Sequence, residues 1–177
     1  MIRRFESHIP TIAETAYIDA TALVSGQVVI GEESSVWPMT VIRGDVNSIT
    51  IGKRTNIQDG SVLHVTHASA AYTTENGYPL LIGDDVTVGH KALLHACHIQ
   101  DRVLIGMGSI IMDGVVIEAD TMIGAGSLVP PGKKLRSGFL WMGSPAKKIR
   151  PLSTKEKQYL EYSALHYVRL KKRTEAC

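Results

Sequence analysis

The chain has almost no net charge: 19 Lys and Arg against 17 Asp and Glu leave +2 at pH 7 across 177 residues. That balance removes the electrostatic case for nucleic acid or an anionic membrane surface as partner, because both require a concentrated positive field. The one basic run, RLKKR at 169–173, reads as the solvated end of a helix. Cysteine is scarce as well. Cys97 and Cys177 stand in unlike contexts, which argues for a reducing compartment and against a disulfide framework. No apolar segment reaches 18 residues, and the N-terminal MIRRFESHIPTIAETAYIDA lacks the apolar stretch of a secretion signal. The expectation is a cytoplasmic protein with a single core.

What the chain does have is a repeat. Aliphatic residues recur every six positions at Ile12, Ile18, Val24, Ile30, Val36 and Ile42, and again at Ile99, Ile105, Ile111, Ile117, Ile123 and Val129. Ile51, Ile57 and Leu63, then Ile82, Val88 and Leu94, lie between these runs. The breaks before Ile51 and Ile82 read as loop insertions, and the short step from Leu94 to Ile99 as a one-residue slip. Two positions before most ladder residues stands a small or β-branched residue, as at Ala22, Thr40, Thr55, Ser61, Ala92, Cys97 and Ser109. Glycine often follows the ladder residue, as at Gly31, Gly52, Gly83, Gly89, Gly106 and Gly124.

A period of six is neither helical nor a simple alternation. It suits a short strand plus a tight corner, and three such units close a triangular coil. Successive coils stack at about 4.8 Å, the spacing of hydrogen-bonded strands. The pattern predicts an all-β fold, a parallel β-helix of about six coils over residues 1–150. Ladder residues point inward, and glycine, Asn or Asp takes the unusual backbone of the corners. It resembles the hexapeptide-repeat class, and left-handedness is taken from that resemblance, against the usual crossover rule. Ser153 and Glu156 form a candidate capping box. A helix is predicted from 154 to about 172, with Leu160, Ala164, Leu165 and Val168 as its apolar side. The segment 151–177 then packs on the solenoid or on a neighbouring chain.

Five of the seven histidines fall between residues 64 and 98. Counting along the ladder places Arg43, His64 and His95 one residue after Ile42, Leu63 and Leu94, in one outward column on adjacent coils. Gln58, Asp59 and His90 fall on the preceding face. Two outward histidines about 4.8 Å apart suit a metal ion. His90 lies around a corner, up to roughly 16 Å of extended chain away, so it reaches the same ion only from a second prism. A cyclic trimer joins one face of a chain to a different face of the next. The spacing therefore implies a homotrimer with metal sites between chains, and Arg43 with Asp45 suits an interface ion pair. His67, in an inserted loop, and His98, in an irregular corner, read as surface residues, and Cys97 as packing.

The segments VIRGDVNSITIGKRTNIQDGSVLHV, VTVGHKALLHACHI, VLIGMGSIIMDG and GSPAKKIR resemble the γ-class carbonic anhydrase family of hexapeptide-repeat proteins, its small bacterial members above all. The resemblance covers nearly the whole chain. It implies His64 and His95 as metal ligands from one subunit and His90 from the next. It also implies Arg43 and Asp45 as an interface pair, and Gln58 with Asp59 as groups that orient water at the metal. A tyrosine of the C-terminal helix, Tyr162 or Tyr167, is implied near the metal. Zn²⁺ is the expected ion, with Fe²⁺ or Co²⁺ equally compatible with imidazole ligands. The implied reaction is the reversible hydration of carbon dioxide by hydroxide generated at the ion. The chain departs from the most active members at two places. Val46 stands where they carry an acidic residue, and the loop THASAAYTTENGYP has Glu75 as its only carboxylate, which points to weak turnover. Two other functions fit the ladder: an acyltransferase or thioester hydrolase acting on coenzyme A esters, and a non-catalytic metal-binding trimer.

Overall fold

The structure, a computed structural model, describes residues 1–176; Cys177 lies outside them. The chain winds into a parallel β-solenoid of about eight turns with one C-terminal helix, consistent with a left-handed β-helix. One face carries the strands Tyr17–Ile18, Ser35–Val36, Asn56–Ile57, Thr87–Val88, Leu104–Ile105 and Met122–Ile123, each parallel to the next. The second carries Val62–His64, Leu93–His95, Ile110–Ile111 and Leu128–Val129. The third carries Leu80–Ile82, His98–Ile99, Val116–Ile117 and Lys134–Leu135. Leu23–Ile30 and Val41–Ile51 turn the corner between the second and third faces and contribute to both.

The ladder closes into register across every break. Ile30 pairs with Ile51, Ile51 with Ile82 and Ile82 with Ile99. From Val24 to Leu135 the inward residues are at most 3% exposed. The small-residue column beside them is buried too, Thr40, Ser61, Ser109 and Thr121 fully so. There are more turns than the aliphatic ladder indicates, because the ends are built from other residues. Ile2–Arg3 adds a parallel strand above Val24–Ser25. At the far end Trp141 takes the place of an aliphatic beneath Ile123, and Phe139–Gly143 folds back against Ala146–Pro151 as an antiparallel hairpin.

Glycine and Asp take the unusual corner backbone as expected, and other residues take it too. The left-handed corner position falls three residues before each ladder residue, and Glu33, Met39, Arg54, Asp85, Lys91, Arg102 and Asp120 occupy it beside several glycines. An L-residue pays about 1–2 kcal/mol for that conformation. Here it lets neighbouring corners pair: Arg54 grips Asp85 through two hydrogen bonds of 2.6 and 2.7 Å, and Arg102 grips Asp120 at 2.7 and 3.1 Å. The glycines that follow ladder residues serve close stacking instead. A Cβ on Gly31 would lie 2.6 Å from the carbonyl oxygen of Gly52, and one on Gly106 2.6 Å from the carbonyl carbon of Gly124.

The helix runs Thr154–Glu175, a few residues past its predicted end, and opens with the capping box: Ser153 accepts from the Glu156 N–H, and the Glu156 carboxylate accepts from the Ser153 N–H. It packs on the first face of its own solenoid through Leu160, Ser163 and Ala164. Leu165, assigned to the apolar side, is exposed, because it falls just off the narrow strip that meets the sheet. Lys171, assigned to a solvated run, is only 2% exposed. Its Nζ donates to the Thr15 carbonyl at 2.6 Å and lies 3.4 Å from the Glu33 carboxylate, so the amphipathic side chain closes the gap between helix and first coil. His98 lies on a strand, not in an irregular corner, with its ring exposed. Among the described residues no helix is long and apolar enough to cross a membrane.

Candidate metal centre

The register sets the two outward histidines side by side. His64 pairs with His95 across neighbouring strands, and His64 Nδ1 lies 3.1 Å from His95 Nε2. The remaining nitrogen of each ring meets a carboxylate. His64 Nε2 is 3.0 Å from Asp45 Oδ1, and His95 Nδ1 is 2.7 Å from Asp113 Oδ1. Asp45 also accepts from Arg43, and Asp113 from the Thr66 hydroxyl. On the first face, His90 Nδ1 lies 2.9 Å from Asp59 Oδ2.

Proton accounting gives this arrangement its meaning. A carboxylate offers only lone pairs, so the ring nitrogen facing it carries the N–H. A neutral imidazole has one N–H. With that tautomer both inner nitrogens, His64 Nδ1 and His95 Nε2, present lone pairs to each other, an arrangement that a shared cation relieves. A proton can serve. A metal ion fits the donor set better, because two bonds of about 2.05 Å across a 3.1 Å gap subtend roughly 100°, near the tetrahedral angle of zinc. Carboxylates behind ligating imidazoles are the usual support of such sites. Burial lowers the pKa of His64, and the Arg43 and His95 charges add to this against the pull of Asp45, which favours the neutral, ligating ring. Burial alone would raise Asp45, but the hydrogen bonds from His64 and Arg43 outweigh it and hold its carboxyl below the ordinary value.

Among the described residues, no three His, Cys, Asp or Glu side chains of one chain gather as a complete metal-holding group. His90, with Nε2 free, belongs to a different face from the pair. It opens onto a cavity of about 420 Å³ between the first face and the helix, lined also by Gln58, Gly89, Met107, Met122 and Tyr167. The cavity follows from the sequence. The position after the ladder residue on this face is Trp37, then Gln58, then Gly89, Gly106 and Gly124, so three coils lack a side chain where the coils above have one. Burial, with the Asp59 charge added, raises the Tyr167 pKa, and the ring packs edge-on against Trp37 with centroids 5.5 Å apart. Tyr162 is more than half exposed, stacks on His166, and does not line this cavity.

The structure thus brings Arg43, Asp45, His64 and His95 together, and separately Gln58, Asp59, His90 and Tyr167. Sequence reasoning missed three supporting residues: Asp113, Thr66 and Asn56, whose Oδ1 accepts from Gln58 Nε2 at 3.0 Å. His67 is exposed, as expected, and Cys97 is a buried free thiol whose pKa burial raises.

Residues 96–131 match the family described as bacterial transferase hexapeptide (six repeats). The chain is 54% identical over 171 residues to protein YrdA of Escherichia coli, covering 97% of this chain and 92% of that protein. It is 45% identical over 168 residues to a carbonic anhydrase of Geobacillus kaustophilus, covering 95% and 87%. A Bacillus cereus structure provisionally assigned as an acetyltransferase superposes with a TM-score of 0.91 at 43% identity, over 99% of this chain and 96% of that one. The repeat, the paired histidines and these relatives agree: the chain belongs to the γ-class carbonic anhydrase-like family of hexapeptide-repeat proteins.

Proposed function

We propose that the protein catalyses the reversible hydration of carbon dioxide at metal centres shared between the chains of a homotrimer. His64 and His95 of one chain and His90 of the next hold Zn²⁺, or Fe²⁺ or Co²⁺ in its place. The observation that carries the reading is that each of these three histidines has one nitrogen committed to a carboxylate, while the other nitrogens of His64 and His95 face each other at 3.1 Å and that of His90 is free. Assembly is supported by an uncovered aliphatic stripe beside His64 and His95. Val62, Leu93 and Ile110 are 38–41% exposed on the second face, whereas the helix of the described residues packs on the first. A partner's first face laid on that stripe brings its His90 to the pair, with Arg43 and Asp45 at the seam.

When bound, the ion supplies the Lewis acidity that makes water nucleophilic near neutral pH. The chain's own residues do the rest. Asp45, Asp59 and Asp113 fix the tautomer and aim of the three rings. Gln58, its Nε2 donating to Asn56, would have Oε1 left to accept a hydrogen bond from water at the site and hold its orientation. Tyr167 walls the same cavity. A cytoplasmic setting belongs to the same proposal, supported by the free Cys97 thiol.

Elemental analysis and stopped-flow hydration assays on zinc- and iron-loaded protein test the reading. About one ion per chain with measurable hydration supports it, and no metal after either reconstitution refutes it. A second reading has its own support in the 420 Å³ cavity, which falls in the roughly 300–1,000 Å³ range of sites for larger ligands. It is hydrolysis or transfer of a coenzyme A-linked acyl group. Turnover of short-chain acyl thioesters with no carbon dioxide hydration would favour it. Metal uptake with neither activity would leave a metal-binding trimer.

A further inference from the structure

Gln58 is held from behind by a line of buried polar side chains that ends on the C-terminal helix. Asn56 is 0% exposed, Gln58 and Thr87 5%, and Ser163 7%. Gln58 Nε2 lies 3.0 Å from Asn56 Oδ1, Asn56 Nδ2 lies 3.0 Å from Thr87 Oγ1, and Thr87 Oγ1 lies 2.9 Å from Ser163 Oγ. Asn56 and Thr87 are register partners on the outward side of the first face, the side covered by the helix.

The donors in this line run one way. The Gln58 amide donates to the Asn56 carbonyl oxygen, which turns the Asn56 NH₂ toward Thr87. Thr87 Oγ1 accepts there, so its own hydrogen points elsewhere, and Ser163 Oγ is the acceptor within reach. No single amide in the line can turn over alone, because two NH₂ groups or two carbonyl oxygens would then face each other across a buried contact of 3.0 Å. Asn56 Nδ2 also reaches the Val86 carbonyl, at a longer 3.4 Å and on an oxygen that already accepts from the Asn56 N–H at 2.9 Å, so the far end of the line is the shorter of two constraints on which end of Gln58 looks into the cavity.

We propose that Ser163, acting through Thr87 and Asn56, is a positioning residue that fixes the Gln58 amide with Oε1 toward the cavity. The inference deepens the function proposed above and rests on it for the task given to Gln58. Without the Ser163 hydroxyl, Thr87 donates back to Asn56. Asn56, its NH₂ then held only by the 3.4 Å contact to the Val86 carbonyl, turns that NH₂ to Gln58, and Gln58 presents Nε2 to the cavity in place of an acceptor. The helix thereby serves the site from outside the cavity wall.

Three variants test this: Ser163→Ala, Thr87→Val, which keeps the shape and loses the hydroxyl, and Thr87→Ser, which keeps the hydroxyl. The first readout needs neither metal nor activity. It is the pair of Gln58 side-chain amide resonances in ¹⁵N-labelled metal-free protein, assigned with Gln58→Glu. Ser163→Ala and Thr87→Val are expected to shift that pair and speed its exchange with water, and Thr87→Ser to restore it. On zinc-loaded protein, kcat/KM for hydration is expected to fall roughly 10-fold, as for other groups that orient a site from behind, with metal content unchanged and recovery in Thr87→Ser. Gln58 resonances unmoved in Ser163→Ala overturn the proposal, because hydroxyls that merely fill the helix–sheet seam would change melting temperature and leave Gln58 as it was. If Thr87→Val does not fold, Ser163→Ala decides alone. A wild-type protein that hydrates no carbon dioxide sinks the function reading, and the amide resonances still decide the line.

Discussion

Mixing two inactive variants measures the sharing of the site directly. His64→Ala removes one donor from the second face of a chain, and His90→Ala removes the donor on its first face. In a head-to-tail trimer each of three interfaces joins the second face of one chain to the first face of the next. An interface is intact only when a His90→Ala chain supplies His64 and His95 and a His64→Ala chain supplies His90. With equal amounts refolded together, about three-quarters of trimers are hybrids, and every hybrid has one intact interface in three. About a quarter of wild-type metal sites and activity is therefore expected to return. The two-donor sites of the parents must be emptied first, so zinc is counted after equilibration with a competing chelator, and hydration is followed by stopped flow. Hybrids verified by mass, with neither zinc nor activity regained, would show that the three histidines do not meet across an interface.

Gly106→Ala, with its added Cβ 2.6 Å from the Gly124 carbonyl carbon, is expected to destabilise by about 1–3 kcal/mol or more, read as a lower urea midpoint. Asp113→Asn leaves His95 Nδ1 without its carboxylate and is expected to weaken zinc affinity 10- to 100-fold, measured by chelator competition. The Glu156 carboxyl, lowered to about 2 from 4.5 by Arg150 first and then Ser153, contributes stability fully present above about pH 4.5 and lost as pH falls toward 2. The protection factor of the Ser153 amide, its intrinsic exchange rate at each pH divided by the observed one, should fall across that window, and a protection factor constant from pH 5 to 2.5 would contradict it. Glu75 is exposed on the inserted loop, so imidazole buffer should raise hydration turnover at fixed pH while Glu75→Gln changes it little; a fast rate that ignores buffer would mean the loop carries its own proton relay.

The fold was legible because the inward position tolerates so little. A coil closed by three short strands gives each strand one fixed inward position, so Ile, Val and Leu recur there in phase and the pairing of Ile51 with Ile82 follows from counting alone. The corners were less legible. Their left-handed residue is set by backbone geometry, and its side chain leaves the coil outward, so Arg54, Lys91 or Met39 is accommodated there at some backbone cost and no side-chain type marks the position. Lys171 escaped for a related reason: in a basic run at a helix end, only the proximity of Thr15 and Glu33, some 140 to 155 residues earlier in the chain, separates a buried lysine from a solvated one.

Within the site, legibility followed register. Asp59 stands directly opposite His90, one coil away, and counting finds it. Asp113 stands two positions past Ile111, whose partner is Leu94, so it meets His95 on a diagonal that a strict column does not contain. Asp45 lies in the extra residues that lengthen the coil after Ile42, and Thr66 in the loop after His64. Asn47, in the same extra residues as Asp45, donates to the carbonyls of Thr66 and Asn76 at 3.2 and 2.9 Å, tying one insertion to the other. Both insertions register in the periodicity only as breaks, yet between them they supply the Asp45 that orients His64 and the Thr66 that holds Asp113 behind His95. The repeat builds a rigid frame that fixes the spacing of the imidazoles and sets Asp59 opposite His90, whereas the carboxylates behind His64 and His95 come from where the frame is interrupted or crossed diagonally, because their own outward column, Arg43, His64 and His95, holds no carboxylate.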